Sequence, residues 1–396
     1  MGDFEVDAVR KQFPALGEGA AHFDGPGGSQ TPQVVADAVA RTMVSALANR
    51  GQLTPAERRA DEVVVGARQA MADLLGTDPG GIVFGRSMTQ LTYDFARTLA
   101  KGWGPGDEVI VTRLDHDANV RPWVQAAEAV GATVRWLAFD PSTTELDEIQ
   151  PLLSARTRLV AVTGASNLIG TRPDLEGIAA LVHEAGALLY VDGVHLTPHA
   201  PVDASFADFY ACSPYKFFGP HCGVLSASPA LLDGLHPDKL LPATDVVPER
   251  FEFGTLPYEL LAGTTATVDF LAGLGGTGES RRERLLSSLE LLESYEDELR
   301  AELESGLAAI SGVTLYGRAQ RRTPTLLFSV AGWESRAVAA RLAEAGVNAP
   351  AGSFYALEAS RHLGLGDAGA IRAGLAPCTN RSDINRLLEA VEGLAS

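Results

Sequence analysis

The sequence predicts a two-unit α/β protein, a larger domain built on a mostly parallel sheet followed by a smaller α+β unit. Three observations carry this expectation. Between about residues 80 and 228, strand-sized apolar runs alternate with helical patterns, the order that layers helices over a parallel sheet. Several of those runs are apolar throughout, as strands buried on both faces must be. At 396 residues, the chain also exceeds what one hydrophobic core usually supports.

The strand-sized runs fall at 82–84, 108–112, 133–138, 159–162, 187–191, 209–212 and 223–225. Among the helices between them, one is expected to begin at Asp174 and stop at Gly186, a residue suited to the position just past a helix end. From Gly276 to Ile310 the pattern changes to one long amphipathic helix. Its Leu285, Leu289, Leu292, Leu299 and Leu303 recur at helical spacing and share a face. The strand-like TLYG and TLLFSV come next, then a helix from Glu334, the run IRAGLA, and a final helix after Asn380. The expected division is residues 18–275 for the large domain and 276–396 for the small one, with residues 1–17 packing on the small one.

Fifty acidic against 32 basic residues leave a net charge of −18. That field repels phosphate backbones and anionic lipid, which speaks against nucleic-acid and membrane partners. No apolar stretch approaches the ~20 residues of a membrane helix, and the first residues, MGDFEVDAVRKQF, lack the charge and apolar core of a signal peptide. Cys212, Cys222 and Cys378 form an odd count without CxxC spacing, which disfavours a disulfide framework or structural zinc. A soluble, cytoplasmic protein without a metal is expected. Neither GxGxxG after a strand nor GxxxxGK is present, so the nucleotide-binding loops are missing.

The central chemical signal is a pair of strand ends. ALLYVDGVH places Asp192 and His195 just past an apolar strand, and DFYACSPYKFFG places Lys216 just past the next. Ligands of open α/β sheets sit outside the carboxyl ends of strands, so both side chains are expected in one crevice. Pyridoxal 5′-phosphate (PLP) requires this combination: a lysine for its imine and a carboxylate that keeps its pyridine nitrogen protonated. GRSMTQLTYDF follows another strand and opens a helix, where unpaired N–H groups favour a phosphate.

With these motifs the chain resembles the class V aminotransferase family in its cysteine desulfurase-like branch, from HFDGPGGSQTP to the last helix. The resemblance implies the fold-type I architecture of PLP-dependent transferases, with a seven-stranded sheet in the large domain. It makes Lys216 the Schiff-base lysine and proton shuttle, and Asp192 the partner of the pyridine nitrogen. His116, within LDHDANVRPW, becomes the histidine stacked on the ring, with Asn119 and Trp123 also matching. Ser87, Met88 and Thr89 take the phosphate loop, and Ser213 adds a hydroxyl. His195 and Tyr215 stand where relatives have Gln and His, which puts His195 next to the cofactor's phenolic oxygen. Asn167 is placed at the cofactor's oxygen face or the substrate, and Arg372 at the substrate carboxylate, which a planar guanidinium can grip with two bonds. RFEFGT matches a segment that crosses a dimer interface, so a homodimer is implied, with Thr255 on the partner's phosphate.

Two departures bear on activity. Where the desulfurases carry their nucleophilic cysteine, in a stretch aligning with GVNAPAGSFYALE, this chain has Tyr355, and Leu53 replaces a family histidine. A persulfide needs a thiolate, so the desulfurase activity is not expected. The expectation is instead a PLP enzyme acting on an α-amino acid by removal of its Cα proton, with C–S lyase chemistry preferred. Transamination, epimerisation and PLP binding without turnover are the alternatives.

Overall fold

A computed structural model gives the fold and describes residues 4–28 and 30–395. Strand β1 (Ala21–His22) lies near the N-terminus. Seven strands then share one sheet: β2 (Ile82–Gly85), β3 (Glu108–Thr112), β4 (Thr133–Leu137), β5 (Thr157–Thr163), β6 (Leu188–Asp192), β7 (Phe209–Cys212) and β8 (Gly223–Ala227). Later come β9 (Val313–Tyr316), β10 (Thr325–Val330), β11 (Val347–Asn348), β12 (Ala351–Gly352) and β13 (Ala370–Gly374).

The large sheet has the order β2-β8-β7-β6-β5-β3-β4. Its β3, β4, β5, β6 and β7 pair in parallel, while β8 runs antiparallel to both of its neighbours. The strands read as continuous apolar runs because both faces are covered. Ile110, Val160, Val162, Leu189 and Val191 point into one core, whereas Val109, Val111, Leu159, Ala161 and Tyr190 point into the other. That division follows from the period of two along a strand.

Helices flank the sheet. The helix Pro55–Leu75 opens on a capping box between Thr54 and Glu57 and buries Val64, Ala67 and Met71 against the first core. Met88–Ala100 and Arg121–Val130 cover the other face. The helix expected from Asp174 spans Leu175–Glu184 and is capped by the Asp174 side chain; Gly186 follows with a left-handed φ of 76°. No helix among the described residues is long and apolar enough to cross a membrane.

The long helix Arg281–Ala309 ties the units together. Its Leu285, Leu289 and Leu292 enter the large sheet's core, and Leu299, Leu303 and Leu307 enter a third core beneath the small sheet. Cutting one of these leucines back to alanine costs about 2–5 kcal/mol. The small sheet is antiparallel, in the order β12-β13-β10-β9. Strand β1 pairs with β11, and Asp24 bridges to Gly374, so residues 21–24 run beside the small sheet.

The N-terminal segment contacts more than the small unit. Phe13 meets Phe218 and Phe270 edge-on in the large core, while Phe4 stacks on Tyr295 of the long helix. A phenylalanine finds a preformed aromatic cluster there, and its burial decides the path of the chain.

Candidate active site

The carboxyl ends of β3, β5, β6 and β7 open onto one cavity of about 540 Å³. The parallel register brings Thr163, Asp192 and Ala211 side by side, so the turns after these strands meet at one edge. Asp192 ends β6, and its Oδ1 accepts from the Val194 N–H at 3.0 Å. Lys216 stands in a short 3₁₀ turn after β7, and its Nζ donates to the Pro26 carbonyl at 2.6 Å. The Nζ lies 4.9 Å from the centre of the Tyr215 ring, which itself stacks on His221.

Burial and charge set the protonation states. Burial lifts the Asp192 carboxyl to about 7, against the Val194 N–H and the Lys216 charge, which lower it. Burial, then repulsion from Arg372, lowers Lys216 to about 8, so a sizeable share of the amine is neutral near physiological pH. His116 is brought down to about 4, chiefly by burial and then by the Lys216 charge. Its Nδ1 accepts from the Ala118 N–H at 3.0 Å, so the neutral ring carries its proton on Nε2.

The loop bearing His116 is held by a buried chain of bonds. The Asn119 amide donates to Asp115 at 2.7 Å, the Trp123 indole donates to Asn119 at 3.1 Å, and the Thr112 hydroxyl donates to Asp115. Asn119 and Trp123 therefore act on the loop, without lining the cavity themselves.

At the other end, Met88 and Thr89 line the cavity at the start of the helix Met88–Ala100. The Ser87 hydroxyl caps that helix through the Gln90 N–H at 3.1 Å. Gly223 makes the close approach possible: a Cβ there would lie 2.2 Å from the Ser87 carbonyl carbon. Ser213 also lines the space.

The small unit supplies the opposing wall. Arg372 comes from β13 at 2 % exposure and donates from Nη1 to the Asn167 carbonyl at 2.8 Å. Its guanidinium lies 3.8 Å over the Phe354 ring. The Asn167 amide donates to the Phe354 carbonyl at 2.9 Å, while Asn167 Oδ1 and Arg372 Nε are buried without a partner among the described residues. Burial pulls the Arg372 pKa down, and Asp24 opposes this.

Of the residues singled out from sequence, Met88, Thr89, His116, Asn167, Asp192, His195, Ser213, Tyr215, Lys216 and Arg372 meet in this cavity. Ser87 sits behind it as a cap. Thr255 is exposed and does not line it. Sequence reading missed Phe354 and the Pro26 carbonyl. Phe354 and Tyr355 are both left-handed, with φ of 51° and 58°, a strain that bulky residues rarely hold outside functional loops. Residue types alone carry no signal for it.

A PLP molecule fits these groups. The cavity is large enough for a cofactor with substrate, a helix start faces it, an amine and a buried carboxylate share it, and a guanidinium lines its other side.

Comparison with known proteins agrees with the geometry. The family model described as aminotransferase class-V matches residues 21–387. An uncharacterized protein of Mycobacterium tuberculosis, MT3887, is 35% identical over 404 residues, covering 99% of each chain. The aminotransferase-like protein FGM3 of Gibberella zeae is 31% identical, covering 98% of each. Among solved structures, the cysteine desulfurase CsdA of Escherichia coli superposes with a TM-score of 0.86 at 28% identity, over 99% of this chain and 98% of that one.

Proposed function

We propose that this chain, which belongs to the class-V aminotransferase family, removes the Cα proton of a small α-amino acid and completes a β-elimination. It is a PLP-dependent enzyme of the cysteine desulfurase-like branch. One observation carries the reading: Lys216, Asp192 and His116 from the large sheet face Arg372 from the small one across a single cavity.

The cofactor, when bound, supplies an electron sink that makes the Cα–H bond of an attached amino acid acidic. The chain's residues do the remainder. Lys216 would hold the cofactor covalently and carry the Cα proton, a role helped by a lowered pKa. Asp192 would pair with the pyridine nitrogen; a cation beside it returns the carboxyl to its ionised form. His116, neutral and tied through Nδ1, would offer its flat face to the cofactor ring. Met88, Thr89 and Ser213 would take the phosphate, and His195, Tyr215 and Asn167 the cofactor's polar edge. Arg372, backed by Phe354, would hold the substrate carboxylate by two parallel bonds.

We infer that sulfur does not pass through a protein thiolate. Among the described residues no cysteine lines the cavity, and burial raises the thiols of Cys222 and Cys378 to about 11 and 12 and that of Cys212 well above its ordinary value. A neutral buried thiol is a poor nucleophile. Tyr355, on the desulfurase nucleophile loop, is 75% exposed and lies 5.5 Å from the His116 ring.

A homodimer is supported by exposed apolar side chains on two segments, Met43, Val44 and Leu53 on one and Leu240, Leu241 and Phe253 on the other, which Arg50 joins by donating to Glu249 at 2.8 Å. The segment leading to Thr255 is anchored from inside: Glu252 pairs with buried Arg68 at 2.8 Å and accepts the Phe84 N–H.

The test is an amino-acid panel with the holoenzyme, scoring pyruvate, ammonia and sulfide. Release of pyruvate and ammonia from β-substituted amino acids is expected. Transfer of the amino group to a keto acid, or loss of chirality alone, would replace elimination by transamination or epimerisation.

A further inference from the structure

His195 stands where relatives carry an amide, and a ring has two nitrogens where the amide has fixed donor and acceptor ends. Something must decide which nitrogen holds the proton. Its Nε2 lies 3.0 Å from the hydroxyls of both Thr323 and Thr325, at the start of β10. Those threonines are each 1% exposed, and neither lines the cavity.

The hydrogen bonds allow one consistent arrangement. The Thr323 hydroxyl has a second acceptor, the Gly170 carbonyl at 3.4 Å. The Thr325 hydroxyl has no acceptor among the described residues except His195 Nε2. A proton on Nε2 would leave the Thr325 hydroxyl with a buried, unmade bond. Nε2 must therefore accept. The ring is held neutral by burial and then by the neighbouring charges of His199, Arg372 and Lys216, so its single proton resides on Nδ1. Nδ1 has no partner among the described residues, and His195 lines the cavity at 4% exposure.

We propose that Thr323 and Thr325 are positioning residues that lock His195 in its Nδ1-protonated tautomer and so offer one donor to the cofactor's phenolic oxygen. The aim of that donor rests on the placement of PLP given above; the tautomer itself does not. Because Thr325 opens a strand of the small sheet, Thr323 lies two residues before it, and His195 follows a strand of the large one, the lock also joins the two walls of the site.

The experiment is long-range ¹H–¹⁵N correlation on the full chain labelled in histidine, as holoenzyme and after cofactor removal, with His195 assigned through His195→Gln. Wild type should show a protonated Nδ1 and an accepting Nε2 in both states. Thr325→Val should scramble this into a mixture, and Thr325→Ser should restore it. A protonated Nε2 in wild type, or an unchanged spectrum in Thr323→Val/Thr325→Val, overturns the proposal. In the holoenzyme, Thr325→Val should raise the pH at which the bound cofactor's visible band titrates by about one unit, because the phenolate loses its donor. If the tautomer is confirmed but that titration stays put, the donor is not aimed at the phenolic oxygen, and that half of the proposal falls.

Discussion

On the large-sheet side of the cavity, His116, Asn167, Asp192, His195 and Lys216 all lie at or within four residues of the end of a strand. On the small-sheet side, Arg372 sits inside a strand, and the loop beside it turns through two left-handed aromatic residues. The first wall needs only a parallel sheet: aligned strands bring their following turns to one edge. The second is held by particular contacts, namely the Asn167–Phe354 hydrogen bond, the Asp117 N–H bond to the Tyr355 carbonyl at 2.7 Å, and the stacking of Arg372 on Phe354. Cofactor attachment should thus depend on the first wall and substrate selection on the second.

The largest effect expected is for Lys216→Ala. Visible absorbance of lysine-bound cofactor should disappear and turnover should fall by on the order of a thousandfold or more, with an unchanged circular dichroism spectrum. A retained visible band would break the assignment of the first wall.

Arg372→Lys tests the second wall. A lysine keeps charge but loses the planar fork and the stack on Phe354, so kcat/KM should fall on the order of a hundredfold with cofactor absorbance intact. Loss of the cofactor in this variant would mean that the two walls do not divide the work.

Asp192 gives a pH test. Its folded pKa of about 7 lies above the ordinary carboxylate value of 3.8, so between those values the folded chain binds more protons than the unfolded one. Its contribution therefore favours folding at low pH and is lost as pH rises through about 7. In cofactor-free protein, Asp192→Asn should relieve this, gaining on the order of 2 kcal/mol over wild type at pH 8 and little at pH 4. Denaturant midpoints at the two pH values measure it. Bound cofactor should shrink the gain and, in the same variant, most turnover should be lost. An equal gain at both pH values would show that the carboxyl is not destabilised by burial.

The smallest effect expected is none. Replacing Cys212, Cys222 and Cys378 together by alanine should leave turnover within about twofold, after allowance for stability losses of about 1 kcal/mol at each packed site. A persulfide on one of them during turnover, with activity lost on its replacement, would restore a desulfurase mechanism.

By itself the sequence determined the strands, their parallel arrangement and the side chains that follow them. Apolar runs such as EVIVT and LLYVD admit little but a buried strand, and polar residues just past them fall at the sheet's edge. Asp192, Lys216 and His116 were legible for that reason. The tertiary structure alone decided the rest. The Phe354 and Tyr355 conformations are set by packing, and the use of Pro26 by Lys216, the divided packing of the N-terminal segment and the threonine pair on His195 join residues at least 128 positions apart. Local pattern reports the period of a helix or strand and the chemistry of its neighbours. It carries no distance between a hydroxyl and a ring nitrogen brought together only when two sheets pack.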